Sequence, residues 1–269
     1  MKKIFAIIAI LLCGTATAQN VLTILHTNDT HSCIEPEKNG SAGVLNRLAV
    51  IESLRDSLGD ENVLLFDCGD FSQGSLYYNA YKGTIEVETM NVMGYNAGTI
   101  GNHEFDFGLD NLARLLRLAS FPIVCANYDF TGTVCEGLVK PYTIIECGGV
   151  KIGVFGLSPD PAGLVSKECY EGVRFFSPIE AADSAVEALR EQGCDVVVCL
   201  SHLGWKIGNE FNDERLATET SGIDIILGGH SHDYFEAPLY YTNSTGGQVI
   251  MNQVGKNGRF IGYINVAVE

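Results

Sequence analysis

Short apolar runs rich in β-branched residues alternate along this chain with stretches of helical periodicity, and the apolar runs keep ending in small polar cassettes. The alternation predicts a strand over 21–26 and then an amphipathic helix over 42–58 that Gly59 stops. A buried strand follows over 63–66, a helix over 85–93, a short strand over 97–100, a helix over 109–118 and a strand over 122–126. Continuously apolar strands of this kind belong to sheets covered on both faces. Further on, 142–147 and 150–157 flank Gly148-Gly149, a hairpin turn signal. A helix is expected over 179–192, ended by Gly193, with buried strands over 195–200 and 223–227. The tail over 248–268 reads as two strands around Lys256-Asn257-Gly258. Parallel-type and hairpin strands together predict an α/β chain, a four-layer αββα sandwich of two mixed sheets flanked by helices. No internal repeat, low-complexity tract or linker divides it.

The N-terminus changes the compartment expected for this fold. Met1-Lys2-Lys3 is a short positive start, 4–12 is apolar, and Ala16-Thr17-Ala18 is a cleavage signal. The apolar stretch is shorter than the roughly 20 residues a spanning helix needs. Residues 1–18 therefore read as a secretory signal peptide, which implies a periplasmic or secreted protein with no membrane span. The rest, 19–269, suits one large domain of about 250 residues.

Charge narrows the partners. Seventeen basic residues against 33 acidic ones give −16, or −18 once Lys2 and Lys3 are removed. So acidic a chain is a poor partner for nucleic acid or anionic membrane. Small phosphate compounds stay open, because a bound metal ion can reverse the local potential. Eight cysteines follow the signal, with no C-x-x-C among them, so a thiolate metal site or redox motif is not expected. They read as structural, some of them open to pairing in an oxidising compartment.

The candidate chemistry lies in the cassettes. Five of the six histidines occur in them. In order they are Asp29-Thr30-His31, Gly69-Asp70, Gly101-Asn102-His103-Glu104, Ser201-His202 and Gly228-Gly229-His230-Ser231-His232. Each alone has an ordinary reading: aspartate and glycine favour turns. Together they follow apolar runs, so all five gather at the carboxyl edges of strands, where α/β sheets place their sites. Aspartate, asparagine and several histidines converging there suit a pair of divalent metals bridged by a carboxylate, a clamp fitted to phosphoester hydrolysis. His26 is the histidine left over, inside the first strand, and reads as packed. Trp205 lines a pocket mouth or covers the core, with nothing in the sequence to choose.

These ordered motifs resemble the calcineurin-like metallophosphoesterases. Thr27-Asn28-Asp29-Thr30-His31, Gly101-Asn102-His103-Glu104-Phe105-Asp106 and Gly229-His230-Ser231-His232 are similar in particular to the N-terminal catalytic domain of the secreted 5′-nucleotidase family. The likeness runs from about Leu22 to the end of the chain. It implies that Asp29, His31 and His232 hold one metal and that Asn102, His202 and His230 hold the other, with Asp70 bridging both. That donor set suits zinc, manganese, cobalt or iron. His103 would face the phosphate as proton donor, oriented by Asp106, while water activated between the ions attacks phosphorus in line. The implied substrate is a small phosphoester, first of all a nucleotide monoester. Cyclic nucleotides, UDP-sugars and a non-catalytic metal- or phosphate-binding role are the alternatives.

Two-domain members of that family carry a C-terminal domain whose aromatic residues stack the nucleobase, and this chain ends where the catalytic domain is expected to end. The expectation is a catalytic domain without that element. Specificity would then come from a separately encoded partner or from the chain's own loops, such as 127–140 or 156–172, or else be loose.

Overall fold

The computed structural model describes residues 20–208 and 210–268. The expected signal peptide, 1–18, lies outside them. The chain opens with β1 (Asn20–Thr27), α1 (Val44–Leu58), β2 (Val63–Asp67), α2 (Leu76–Tyr81), α3 (Thr84–Met93), β3 (Ala97–Gly98) and α4 (Gly108–Leu118). Its middle holds β4 (Tyr128–Asp129), β5 (Tyr142–Cys147), β6 (Val150–Leu157), β7 (Arg174–Phe175), α5 (Pro178–Glu191) and β8 (Val196–Ser201). It ends with α6 (Asp213–Glu219), β9 (Ile225–Leu227), β10 (Leu239–Thr242), β11 (Gln248–Asn252) and β12 (Gly262–Val268).

Two mixed sheets form the centre. One runs β12-β1-β2-β3, with β1, β2 and β3 parallel and β12 antiparallel to β1. The other runs β10-β11-β9-β8-β6-β5, parallel from β11 to β6 and closed at each edge by an antiparallel strand. Their facing sides interlock through Leu22, Ile24 and Phe66 on the first sheet and Ile152, Val154 and Val198 on the second.

The outer layers follow from helix spacing. Val87 and Met90 of α3 and Leu112 and Leu115 of α4 cover the first sheet with Ile51 of α1. On the second sheet, α5 buries Ala182, Ala185, Val186 and Leu189, the i, i+3, i+4, i+7 stripe of an amphipathic helix. The Ser177 side chain caps α5 by accepting from Glu180 N, and Pro178 occupies its first turn. The four-layer αββα architecture is therefore as the sequence pattern predicts.

Some elements differ from expectation. Residues 122–126 pair only through isolated bridges, Gly98 with Ile123 and Val124 with Lys140. Pro122 brings no N–H, and the neighbouring β3 is two residues long, so no full ladder forms. Helices α2 and α6 and the edge strand β10 are additions to the expected elements. The eight described cysteines are all free. Trp205 donates its indole N–H to Tyr241 and packs on the outer core of the second sheet, which settles it as a covering residue. No helix among the described residues is long and apolar enough to cross a membrane.

Candidate metal centre

Strand register brings the cassettes together. Thr27 pairs with Asp67 and Asp67 with Gly98 in the first sheet. Leu157 pairs with Ser201 and Leu200 with Leu227 in the second. The segments that carry Asp29, Asp70, Asn102, His202 and His230 all leave from these aligned ends.

Each loop turns sharply as it leaves. Asp29, His31, Asp70, His230 and His232 all have positive φ, between 46° and 69°. Non-glycine residues seldom adopt that conformation, and it concentrates at functional sites where surrounding contacts enforce it. Glycine permits the crowding between loops. A Cβ on Gly101 would lie 2.1 Å from Asp70 Oδ1, and one on Gly229 would lie 2.8 Å from His202 Nδ1.

The carboxylates divide their oxygens between holding and facing. Asp29 Oδ2 accepts from Asn28 Nδ2 at 2.6 Å and from His230 N at 3.0 Å. Its Oδ1 shares the His230 N–H at 3.2 Å and looks toward His232 Nε2 at 3.4 Å and His31 Nε2 at 3.7 Å. Asp70 Oδ1 accepts from His103 N at 2.8 Å. Its Oδ2 faces His202 Nε2 at 3.1 Å and His31 Nε2 at 3.6 Å.

Two donor groups result. Asp29, His31 and His232 form one, and Asp70, His202 and His230 the other. A third grouping of His31, Asp70 and His103 links them. His202 Nδ1 lies 2.7 Å from the Cys68 carbonyl, to which it donates, so Nε2 is the atom left facing Asp70. Asn102 sits beside them with Oδ1 buried and without a hydrogen-bond partner, as are the Nε2 atoms of His31 and His202. All seven expected ligands thus fall at one edge.

The electrostatics ask for a cation. Asp29 and Asp70 are buried, and among the described residues their ion-pair contacts are to histidines alone. Buried charge of one sign needs compensation. Burial alone would raise the Asp70 carboxyl, but the His202 ring, with those of His31 and His103, holds it well below the usual range. Burial would likewise depress His202, yet Asp70 and Asp29 push it up to about 10. Burial, helped by the charge on His202, lowers His230 to about 4, leaving it a lone-pair donor. Carboxylate oxygens, imidazole nitrogens and an amide oxygen with unused lone pairs fit divalent cations of the zinc, manganese, cobalt or iron type.

Asp106 holds His103 from the other side. His103 Nδ1 lies 3.1 Å from Asp106 Oδ2, while Nε2 lies 4.0 Å from Asp70 Oδ2. Burial works against protonation of His103, but the Asp106 hydrogen bond and the Asp70 charge raise its pKa.

Two residues that sequence reasoning did not assign belong to this centre. Glu104, fully buried, accepts from the backbone N–H groups of Asp70 at 2.9 Å, Ser72 at 3.0 Å and Gly101 at 2.6 Å. One carboxylate thereby ties the Asp70 loop to the Asn102 loop. Gln73, held at φ 137°, places its amide nitrogen 2.8 Å from His103 Nε2. The signal for Glu104 was its place inside a cassette; Gln73 had none beyond the loop following Asp70.

Two mixed sheets between helical layers, with a His/Asp/Asn cradle at the carboxyl edges of their strands, define the metallophosphoesterase class. The chain belongs to the calcineurin-like phosphoesterase family, whose profile matches residues 22–234. It is 32% identical over 274 residues to a snake venom 5′-nucleotidase of Gloydius brevicauda, covering 92% of this chain and 45% of that protein. Among solved structures, a 5′-nucleotidase precursor from Thermus thermophilus superposes with a TM-score of 0.84 at 33% identity, covering 93% of this chain and 52% of that one. A calcineurin-like phosphoesterase from Bacillus subtilis gives 0.78 at 29% identity, with 93% and 86% covered. The chain spans about half the length of the 5′-nucleotidases it matches, 45% to 52% in these two cases.

Proposed function

We propose that residues 19–269 form the catalytic domain of a dimetal phosphoester hydrolase that acts on nucleotide monoesters. The observation that supports it most is the adjacency of two donor groups, Asp29/His31/His232 and Asp70/His202/His230, beside an imidazole fixed by its own carboxylate. Asp29, His31 and His232 would hold one ion, Asn102, His202 and His230 the other, with Asp70 between them. Bound there, a pair of divalent ions lowers the pKa of water and neutralises charge on phosphoryl oxygens.

The chain's own residues supply the rest. Glu104 fixes the backbone of Asp70 and Gly101, and the Cys68 carbonyl fixes the His202 tautomer. His103 presents Nε2 to the ester oxygen. A water oxygen attacks phosphorus, the bond to the ester oxygen breaks, and the proton on His103 passes to the departing oxygen. Asp106 stabilises the imidazolium before that transfer and holds the ring in place. The products are an alcohol and inorganic phosphate, with no covalent phosphoenzyme. Retention of the His103–Asp106 pair favours turnover over a metal-binding role alone, which would need no proton donor. Nucleotides as substrates are supported by the 5′-nucleotidases it resembles over most of its length. Lys2-Lys3, the apolar stretch after them and Ala16-Thr17-Ala18 support export to the periplasm or medium.

The test is phosphate release by the purified protein from nucleoside monophosphates, cyclic nucleotides, UDP-sugars and an aryl phosphate, with manganese, zinc or cobalt supplied. Fastest release from nucleoside monophosphates is expected. Preference for a cyclic diester would reassign it as a phosphodiesterase, and metal binding without turnover would make it a binding module.

A further inference from the structure

We infer that the groove beside His31 and Gln73 is the subsite for the leaving group, built to take a nucleoside through its ribose hydroxyls; this rests on the phosphomonoesterase reading above. The groove has a volume of about 640 Å³. That lies within the roughly 300–1,000 Å³ range of small-ligand sites. Its wall begins at His31 and Gln73 and continues through Glu35 and Tyr77 to Lys256 and Asn257. A second cavity, lined by Phe175, Leu203 and Phe211, includes none of the expected metal ligands or His103 and Asp106.

Direction selects the first groove. The departing oxygen must lie where His103 Nε2 can reach it, and the side chain already 2.8 Å from that nitrogen is Gln73. A substrate whose ester oxygen takes that position has the remainder of its alcohol over the Gln73 wall. The strained backbone of Gln73, at φ 137°, points to a side chain held in place for this contact.

The groove's chemistry selects the alcohol. Tyr77 donates its hydroxyl to Glu35 Oε1 at 2.5 Å, which fixes an exposed carboxylate on the wall. Glu35 Oε2 has no hydrogen-bond partner among the described residues. Glu37, by contrast, is committed to Arg259 at 2.7 Å. A fixed carboxylate oxygen facing solvent accepts well from vicinal hydroxyls. Ile34, Leu76 and the Tyr77 ring give the same groove an apolar side that suits the face of a base. A leaving group hydroxylated on one edge and flat on the other matches both walls.

The experiment compares the metal-loaded wild type with Glu35→Gln and Tyr77→Ala on AMP and on p-nitrophenyl phosphate. Loss of one charge-assisted hydrogen bond predicts a KM for AMP about tenfold higher in Glu35→Gln, with kcat and the aryl phosphate kinetics unchanged. Unchanged KM for AMP in both variants, or an equal rise for both substrates, overturns the subsite. Adenosine titrated into the metal-free chain separates this from the activity itself. Adenosine binding that weakens in Glu35→Gln, and that 2′,3′-dideoxyadenosine fails to reproduce, upholds the groove even if no nucleotide is hydrolysed. Absence of adenosine binding by the wild type overturns the groove while leaving the phosphomonoesterase reading untouched.

Discussion

His26, on the first sheet, and His202, at the end of a strand of the second, are both fully buried; His26 lacks a hydrogen-bond partner at both ring nitrogens and His202 at Nε2. Yet burial drives His26 down to about 3, whereas Asp70 and Asp29 overcome the same burial penalty at His202 and raise it to about 10. His26 pairs with Gly262 across β1 and β12, and its ring occupies the space a Cβ there would need, 1.9 Å from Nε2. It is a neutral ring filling space that the glycine leaves open. His202 sits in a cluster whose carboxylates require positive charge. Burial and missing partners therefore do not by themselves mark a functional histidine. What separates the two rings is the pair of carboxylates beside His202.

Breaking the charged side of this contrast should have the largest effect. Asp70→Ala removes the carboxylate proposed to lie between the two ions, so metal content by mass spectrometry falls. Turnover falls with it by several kcal/mol of barrier, on the order of 10³-fold or more. Full metal occupancy in Asp70→Ala would overturn the bridging assignment. His103→Ala separates binding from chemistry: metal content is retained and kcat falls about 10²- to 10⁴-fold. Undiminished turnover would remove His103 from the mechanism.

Glu104→Gln tests a supporting contact. The neutral amide keeps the shape but weakens the hold on the Asp70 and Gly101 backbones, and metal affinity falls about 10- to 100-fold by calorimetric titration. Unaltered affinity would make Glu104 structural only. The neutral histidine should leave metal binding and turnover alone and act on stability through pH. The unfolded chain protonates His26 below about 6.5, while the folded chain resists down to about 3. The unfolded state thus binds the extra proton in this window. Its contribution to stability is complete above pH 6.5 and is lost as pH falls, by up to about 1.4 kcal/mol per pH unit. His26→Leu should flatten that part of the wild-type stability curve in denaturant melts between about pH 4 and 6.5. An identical slope in both proteins would contradict the assignment.

The two histidines also show what the sequence can disclose. His26 was legible as packed because it lies within an apolar run, and His202 as a candidate site residue because it ends one. The same logic recovered both sheets and the helices α1, α3, α4 and α5, each ten or more residues long, although α1 lacks the amphipathic stripe expected of it, burying Arg47 and exposing Leu45 and Val50. It failed at α2 and α6, six and seven residues long, which carry too little periodicity to detect. It also failed at β10, an edge strand whose Tyr240 points to solvent. Within the candidate site, residue identity pointed to the side chains that the fold brings together but not to their supports. Glu104 acts through backbone N–H groups from two loops, and that convergence exists only once β2 and β3 are paired.

The most direct test of the proposed dimetal centre is a titration of metal-stripped protein with manganese or zinc while phosphate release from AMP is followed. No turnover is expected without metal, with a plateau at two equivalents per chain. Turnover that survives stripping, or a plateau reached at a single equivalent, would contradict it.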